Sequence, residues 1–468
     1  MLACARPNEH ADWLEAEGVM TWHVGPNRGA EFEAALAAAG PPDVVVFDRF
    51  MAEEAFSFRV RAACPSAARV LDMQDLHALR YARQAAVKEG VANEAAAVKA
   101  AKKERKRRPG EGGGTRGSNA ASAAPHAPSL VEAALAAVPS AGDDHLSREL
   151  AAVHRSDLTL VCSPTEARLM RDRFGVPGEK LVLASFFCDP AQTSSPGFEP
   201  RAGFMTIGTF YHPPNVDSVR WMATEVWPLI RKELPAAEMR VYGAYPTEGI
   251  KQLHAPDKGF RVEGFAPTVE GAMAGARVLL APLRFGAGIK GKIVDAWIQG
   301  LPVVTTPVGA EGMVPGVDQL WTRGGASDGS DWGGRWCAVD AAGVARDAVA
   351  LHEDRLEWER ARAAGTRLVD DLFPAQRNLA VVREAVEGLF APTGLESEGR
   401  DSVGESGCRT RLEALRSVDF YGAALWHHTV RSTEYFSRWI EVKETGKDSS
   451  VLLPEGTPLP AKKDNEDR

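Results

Sequence analysis

Short apolar runs alternate along most of the chain with segments whose apolar residues have helical spacing. The apolar runs predict buried strands, and they occur at 44–47, 69–72, 158–162, 181–184, 203–208, 239–243, 261–265, 277–283 and 303–305. Alternating strands and helices are typical of parallel α/β sheets. A proline- and serine-rich linker, 191–202, divides the runs into two sets, so we expect two α/β domains.

A segment of different composition interrupts the first domain. Residues 84–145 contain a basic run, a glycine run and a stretch rich in alanine, serine and proline. Such a segment buries too little apolar surface to offset the entropy lost on ordering, so we predict a low-complexity disordered insert with a helical start near 84–107. The first domain then comprises 1–83 and 146–190, and the second comprises 203–391.

The remaining segments carry local predictions. Residues 392–408 predict a second linker, 409–444 an aromatic helical extension packed on the body or on a partner, and 445–468 a flexible tail. A tryptophan- and glycine-rich stretch, 321–337, predicts a surface loop. Ser163 and Glu166 have the spacing of a capping box, which assigns Glu166 a structural role at a helix N-terminus.

The chemistry of the second domain centres on a glycine loop between a strand and a helix. Gly286, Gly288 and Gly291 precede a helix whose first residues include Lys292 and Asp295. A helix N-terminus presents unpaired N–H groups and a positive dipole end, and glycines let an anion approach the backbone, so phosphate is the predicted ligand. Lys292 and Asp295 are three residues apart and share a helix face, where they can meet a phosphate and a sugar diol.

The same loop also fits a second kind of site. Its glycines match G-x-G-x-x-G with Lys290 inside the motif, and Glu311 follows Gly291 by twenty residues. That spacing is the fingerprint of dinucleotide-binding domains, so an NAD-linked oxidoreductase stays open as an alternative. The motif lies late in the chain, whereas the fingerprint normally opens the first βα turn of a domain.

The sequence from Gly286 to Met313 resembles the donor-site segment of glycosyltransferase family 4, the glycosyl transferases group 1 set with the GT-B fold. Asp295 matches the second of two acids that family members carry here, and Ala287 stands where the first would fall. A glycine, Gly208, followed by His212 and Pro-Pro-Asn resembles the opening of the family's donor domain.

A pattern in the first domain resembles the same family. Asp72, Asp75, His77 and Arg80 match a D-x-x-D-L-H-x-L-R pattern that a subset of family 4 carries at the cleft edge of its N-terminal domain. Enzymes of this fold begin with a strand and a glycine turn, whereas this chain opens near a helix at 11–18, so we expect the first βα unit to be absent.

The resemblance implies two Rossmann-like domains facing across a cleft. It also implies transfer of a sugar from a nucleotide-sugar donor to the hydroxyl of a glycan, lipid or protein acceptor, with retention, without a metal and without a cofactor. A non-catalytic nucleotide-binding or scaffold derivative of the fold is a further alternative. The predicted catalytic residues are Asp75, His77 and Arg80. The predicted donor-binding residues are Gly208, His212, Gly286, Gly288, Lys290, Gly291, Lys292, Asp295 and Glu311.

Composition narrows the remaining choices. The formal net charge of −8 disfavours a nucleic-acid partner. The six cysteines are scattered without a C-x-x-C pair, which predicts neither a zinc site nor a disulfide framework. No apolar run approaches the ~20 residues of a membrane span, and no signal peptide is recognisable, so we expect a cytoplasmic protein. Peripheral membrane contact stays open as an additional partner.

Overall fold

The computed structural model describes residues 1–4, 10–107, 128–189, 195–314, 332–393, 410–426 and 431–445. The strands are β1 Leu2–Cys4, β2 Thr21–His23, β3 Val44–Asp48, β4 Ala68–Asp72, β5 Leu158–Val161, β6 Leu181–Leu183, β7 Phe204–Ile207, β8 Met239–Tyr242, β9 Phe260–Gly264, β10 Val278–Ala281, β11 Val303–Thr305 and β12 Gly334–Arg335.

The α-helices of the first domain are α1 Ala11–Ala16, α2 Gly29–Ala39, α3 Arg49–Ala63, α4 His77–Arg107, α5 Leu130–Ala136, α6 Asp144–Arg155 and α7 Pro164–Asp172. Those of the second domain are α8 Pro213–Trp221, α9 Trp227–Glu233, α10 Glu248–Lys251, α11 Val269–Ala274, α12 Gly291–Ile298, α13 Pro307–Ala310, α14 Ala341–Glu353, α15 Arg355–Leu372 and α16 Ala375–Gly388. The C-terminal extension contains α17 Arg411–Val418, α18 Phe420–Leu425 and α19 Arg431–Thr445.

Each domain is built on a parallel sheet, which confirms the predicted α/β architecture. The first domain has a four-stranded sheet in the order β3-β4-β5-β6, and β1 pairs with β2 separately. The second domain has a six-stranded sheet in the order β12-β11-β10-β7-β8-β9. Strand order reverses between β10 and β7, and ligands of open α/β sheets bind beyond the carboxyl ends of strands at such a switch point.

A strand lies ahead of the helix at 11–18, contrary to the expectation from the sequence. Leu2–Cys4 pairs in parallel with Thr21–His23 across α1, so these residues form a small βαβ unit. The three-residue strand has too short an apolar pattern to be recognised by alternation.

The insert is more ordered at both ends than its composition indicates. Helix α4 extends unbroken to Arg107, which agrees with the predicted helical start near 84–107, and α5 begins at a complete capping box formed by Ser129 and Glu132. Val131 and Leu135 are buried in the same apolar cluster as Phe210 of the second domain. We call the helical pair formed by 84–107 and α5 the arm. The prediction for 108–127 falls outside the described residues.

Residues 332–337 were predicted as part of a surface loop, and the structure corrects this. β12 adds an edge strand to the second sheet, and Trp332 and Trp336 are buried. Trp332 packs edge-on against Trp297 of α12, with 5.0 Å between ring centroids. A sequence rich in tryptophan and glycine is compatible with a surface loop and also with a short buried edge strand. Composition alone therefore led to the wrong structure for these residues. The part of the prediction covering 321–331 lies outside the described residues.

The C-terminal extension packs on the first domain, which is one of the two predictions for it; the other was packing on a partner. Asp157 accepts hydrogen bonds from both Arg69 of β4 and Arg416 of α17, at 2.7–3.3 Å. Trp426 packs against Phe58 of α3 and is 5% exposed. The histidine pair at 427–428, the linker residues 394–408 and the tail from 446 lie outside the described residues.

Membrane spanning was tested only on the helices that the structure describes. None of them combines the length and the apolar character needed to cross a bilayer.

Candidate active site

A cavity of about 620 Å³ lies between the two domains. The first domain contributes the ends of β3, β4 and β5 and the start of α4, and the second contributes the β7–α8 loop, the glycine loop and the start of α12. The residues that line it are Arg49, Asp72, Gln74, Asp75, Arg80, Cys162, Ala184, Ser185, Phe186, Phe187, His212, Pro214, Asn215, Leu283, Gly286, Ala287, Gly288, Ile289, Lys290, Gly291 and Lys292. The cavity therefore adjoins the switch point of the second sheet.

The start of α12 forms the wall of the second domain. Its N-cap, Lys290, makes no side-chain capping bond, so the first N–H groups of this helix keep no side-chain partner there. Lys292 Nζ donates to Asn215 Oδ1 at 2.7 Å. A Cβ atom at Gly208 would lie 2.6 Å from Asn215 Nδ2 and 2.9 Å from Lys292 Nζ, so a side chain there would displace the ends of this pair. Burial and the neighbouring Lys290 lower the pKa of Lys292 to about 8.

Lys290 points away from Lys292, as its spacing predicts. Its Nζ donates to the carbonyl oxygen of Gly288 within the loop, and the residue is 8% exposed. Burial lowers its pKa, and the Glu311 and Glu166 carboxylates oppose that effect. Lys290 therefore supports the loop from inside, while only a small part of it reaches the cavity.

Glu311 and Asp295 were predicted to bind the donor, and neither is among the cavity-lining residues. The Glu311 carboxylate accepts both guanidinium N–H groups of Arg83, at 2.6 and 2.8 Å. Arg83 is fully buried and also donates to the Gly286 carbonyl at 2.9 Å. Burial and the charge of Glu270 raise the pKa of the half-buried Asp295.

Asp75 organises the wall of the first domain. His77 Nε2 lies 3.1 Å from Asp75 Oδ1, and Arg80 bonds the other carboxylate oxygen. Burial opposes ionisation of Asp75, but His77 and Arg80 together outweigh it and lower its pKa. His77 is 6% exposed and lies edge-on to Phe50, so it stands behind Asp75, whereas Asp75 and Arg80 line the cavity.

His212 faces this wall from the second domain. Burial, together with the positive charge of Arg80, lowers its pKa to about 4, although Asp75 acts in the opposite direction. The imidazole is therefore neutral near pH 7 and offers one donor and one acceptor nitrogen. His212 also precedes α8, whose first turn contains the prolines of the predicted His-Pro-Pro-Asn pattern.

Two cavity residues have a left-handed backbone that is uncommon outside glycine. Arg49 has φ of 69° and Gln74 has φ of 57°, directly after β3 and near the end of β4. Gln74 Nε2 donates to Asp48 Oδ1 at 2.7 Å, which holds the two strand ends together. Strained backbone of this kind concentrates at functional sites, and it adds weight to this edge of the cleft.

Two buried glutamates were not predicted as site residues. Glu149 of α6 accepts from the His77 and Ala78 N–H groups, at 2.8 and 2.7 Å, and so caps α4 from another element. Glu166 of α7 accepts from Leu76 N at 3.2 Å and from Gly288 N at 2.6 Å.

Glu166 thus forms only half of its predicted capping box. Its N–H meets Ser163 Oγ at 3.5 Å, but its carboxylate turns toward the cleft instead of returning to the N-cap. The S-x-x-E spacing is explained by a capping box, so the sequence did not indicate the contact of Glu166 with the glycine loop. Arg83 could have been identified as a site residue from its position one helical turn after Arg80.

The chain can now be compared with known proteins. Residues 201–329 match the family model described as Glycosyl transferases group 1. The matched segment contains Gly208, His212, the whole glycine loop and the start of α12. No curated relative matches the chain.

Solved structures extend the comparison to both domains. The Anabaena protein HepE, in complex with UDP and glucose, is 11% identical and has a TM-score of 0.53 over 83% of this chain and 91% of that chain. Sucrose-phosphate synthase from Thermosynechococcus elongatus is 14% identical, with a TM-score of 0.50 over 77% of each chain. At these identities the likeness shows the fold, which is the predicted GT-B fold of two Rossmann-like domains.

A third similar structure is longer than this chain. TarM is 10% identical, with a TM-score of 0.50 over 77% of this chain. The chain spans 48% and 58% of the length of two TarM structures, one of them from S. aureus.

The oxidoreductase alternative is not favoured. In the dinucleotide fingerprint the acidic residue must be free to bind a ribose. Here both Glu311 oxygens accept from Arg83, and the glycine loop lies in the segment that matches the group 1 model.

Proposed function

We propose that the chain transfers a sugar from a nucleoside diphosphate sugar to an acceptor hydroxyl. The observation that carries this proposal is the open N-terminus of α12, with Lys292, Asn215 and Gly208 beside it, facing a cavity shared with Asp75 and Arg80. The group 1 match of the same segment supports the same reaction.

The α12 end of the cavity suits the leaving diphosphate. As the glycosidic bond breaks, negative charge develops on the phosphate oxygens, and preorganised N–H groups and a cation stabilise that charge. The helix N-terminus supplies the N–H groups, and the Lys292 amine, which is mostly protonated near pH 7, supplies the cation. The absence of a side chain at Gly208 lets Lys292 and Asn215 lie close to the backbone of the β7–α8 loop.

The opposite wall suits the sugar. Asp75 is ionised and held by His77 and Arg80, and a carboxylate near the cleft stabilises positive charge on a sugar as its leaving group departs. Neutral His212 can bond a sugar or acceptor hydroxyl from the other side. In this proposal His77 orients Asp75, and it is Asp75, Arg80 and His212 that meet the substrates.

The finer features of the reaction belong to the proposal as well. We infer independence of a metal, because Lys292 and α12 already place positive charge at the diphosphate end. We infer retention of the anomeric configuration from the resemblance of residues 286–313 to family 4. We expect activity to survive excess EDTA, and an NMR assay of the product to show the anomer of the donor. Loss of activity with EDTA, or an inverted product, would overturn the corresponding inference.

Nucleotide binding tests the proposal first. HepE and TarM were solved with UDP, so UDP, GDP and ADP and their glucose or mannose conjugates form the first panel. A ligand at 100 times its dissociation constant adds about 2.7 kcal/mol to the native state. A rise in melting temperature with one nucleoside diphosphate supports the donor site. A rise in melting temperature with NAD(H) alone contradicts the proposal, and so does the absence of a rise with every ligand in the panel.

Lys292→Ala should weaken binding of that nucleoside diphosphate about tenfold or more, because a hydrogen bond to a charged group contributes ~1.5–3 kcal/mol. The matched control is Lys258→Ala, which removes the same charge from an exposed position before β9, at the opposite edge of the sheet. Isothermal titration should give the control an unchanged dissociation constant. Equal affinities in the two variants would remove Lys292 from the donor site.

A further inference from the structure

Glu166 is a buried carboxylate that bridges the two domains through backbone hydrogen bonds. It is 0% exposed and belongs to α7 of the first domain. One oxygen accepts from Leu76 N, between Asp75 and His77, and the other accepts from Gly288 N in the glycine loop. Each of its two oxygens thus accepts a hydrogen bond from an N–H group of a different wall of the cleft.

The loop and the Asp75 segment lie close enough for this bridge to set their separation. Gly288 has φ of 66°, and a Cβ atom there would lie 2.9 Å from Asp75 Cβ. The backbone at this position therefore touches the segment that carries the proposed sugar-facing carboxylate. A shift of the Glu166 bonds moves both walls relative to each other.

Burying a carboxylate costs free energy unless the group is hydrogen-bonded or paired with a cation. Within the described residues, the Glu166 carboxylate accepts hydrogen bonds from no cationic side chain, although Lys290 and Arg83 lie near it along with Asp75, Cys162 and Glu311. Glu53, another buried acid of the first domain, is instead paired with Arg155. The bonds of Glu166 hold backbone in place rather than neutralise a charge.

We propose that Glu166 is a positioning residue for sugar transfer, which fixes the distance between the Asp75–His77 segment and the glycine loop by bonding one N–H group of each. This inference rests on the proposed function for its catalytic meaning, but its structural content stands independently. Glu149 provides a natural comparison, because among the residues that the structure describes its carboxylate accepts only from His77 N and Ala78 N, both in the first domain.

The test compares Glu166→Gln with Glu149→Gln by hydrogen exchange and mass spectrometry. Glutamine has one acceptor oxygen, so each variant loses one of its two backbone bonds. Losing either bond of Glu166 breaks the link between the two walls, so in Glu166→Gln we expect exchange to accelerate about fivefold or more in peptides covering both 74–80 and 284–292, because a buried N–H group loses its acceptor. In Glu149→Gln only the 74–80 peptide should accelerate.

Activity supplies the catalytic half of the test. With UDP-glucose as donor, kcat of Glu166→Gln should fall about tenfold or more while the dissociation constant of UDP stays within about twofold, since the bonds to diphosphate are intact. Glu166→Asp keeps the carboxyl group but is one methylene shorter and cannot span both N–H groups, so it should show the same joint acceleration of exchange. It also serves if Glu166→Gln does not fold.

The outcomes separate the two proposals. Unchanged exchange at 284–292 in both Glu166 variants overturns the bridge, whether or not the protein is a glycosyltransferase. Joint acceleration in a protein that binds none of the nucleotides supports the bridge and overturns the proposed function. Joint acceleration with unchanged kcat on UDP-glucose removes Glu166 from catalysis.

Discussion

At the residue scale, the candidate site depends on two glycines whose lack of a side chain allows neighbouring groups to approach the backbone. Gly208 leaves space for the Lys292 ammonium beside Asn215, and Gly288 leaves space for Asp75 against the loop. Each glycine is required by a neighbour across the cleft or across the sheet edge. The glycine loop thus shapes the wall between the domains in addition to presenting N–H groups.

Gly288→Ala tests this contact. The methyl group meets Asp75 and the left-handed backbone costs about 1–2 kcal/mol, so we expect lower stability and turnover reduced by as much as about 100-fold, the effect of a displacement near 1 Å. Gly175→Ala is the matched control, because Gly175 has φ of 70° with nothing within 4 Å of a Cβ atom. Urea unfolding should show similar backbone losses in both, with turnover lost only in Gly288→Ala. A control as inactive as Gly288→Ala contradicts the argument.

The glycine loop, Lys292, Asp75 and Arg80, which residue patterns singled out, line one cavity, whereas His77, Gly208, Asp295 and Glu311 do not line it. The patterns identified the lining residues because a strand–loop–helix unit confines its side chains to one sheet edge. They did not reveal Glu166, since S-x-x-E also describes a capping box, and the choice between the two depends on a partner in another domain. The roles assigned to the individual residues stay predictions.

At the element scale, α4 begins at two buried carboxylates. Burial raises the pKa of Glu149 to about 7 and that of Glu166 to about 8, while the backbone N–H groups that they accept from oppose the shift. Each group holds its proton in the folded protein at pH values where the unfolded chain, with an ordinary glutamate pKa near 4.5, has lost it. The start of α4 is therefore coupled to pH.

The sign of this coupling gives a prediction. Between about pH 4.5 and 8 the folded state binds more protons than the unfolded state, so the contribution of Glu166 to the free energy of unfolding falls as pH rises, by up to about 1.4 kcal/mol per pH unit. Glu166→Gln does not titrate. Urea unfolding at pH 5 to 8 should therefore show wild type losing stability relative to Glu166→Gln as pH rises. A constant difference across this range would show that the group does not titrate there.

Arg83 connects α4 to the second domain by a buried ion pair. It reaches both the Glu311 carboxylate and the Gly286 carbonyl, whereas the equally buried Arg155 pairs with Glu53 inside the first domain. The two pairs are similar in burial and differ in which elements they join.

Arg83→Met and Arg155→Met exploit that difference. Removing one partner of a buried pair costs about 3–5 kcal/mol, so both variants should lose comparable stability in denaturant unfolding. Only Arg83→Met should also weaken UDP binding, because only Arg83 supports the glycine loop. Calorimetric titration of UDP measures this directly. Equal UDP affinity in the two variants would mean that the loop holds its shape without Arg83.

At the scale of the whole molecule, the arm provides a second, apolar contact between the domains. Val131 and Leu135 of α5 lie in the apolar cluster of the second domain, and Val87 of α4 packs with Phe285, next to the glycine loop. The pattern of strands predicted both sheets apart from the edge strand β12, because β-α alternation is a local property. It predicted the helical start of the arm near 84–107 but not α5, whose apolar residues are few and whose burial depends on a surface contributed by another domain.

Removing the arm's contact should uncouple the domains. Val131→Ala with Leu135→Ala deletes side chains that are 0% and 6% exposed, and such large-to-small changes cost roughly 0.5–5 kcal/mol each. Because the lost contact lies between domains, we expect the thermal unfolding of wild type to separate into two transitions in the double variant. Leu351→Ala, a fully buried position of α14 inside the second domain, is the control and should lower one transition without separating it from the other. Calorimetry distinguishes these results, and a single transition in the double variant would mean that the cleft contacts of Arg83 and Glu166 suffice to couple the domains.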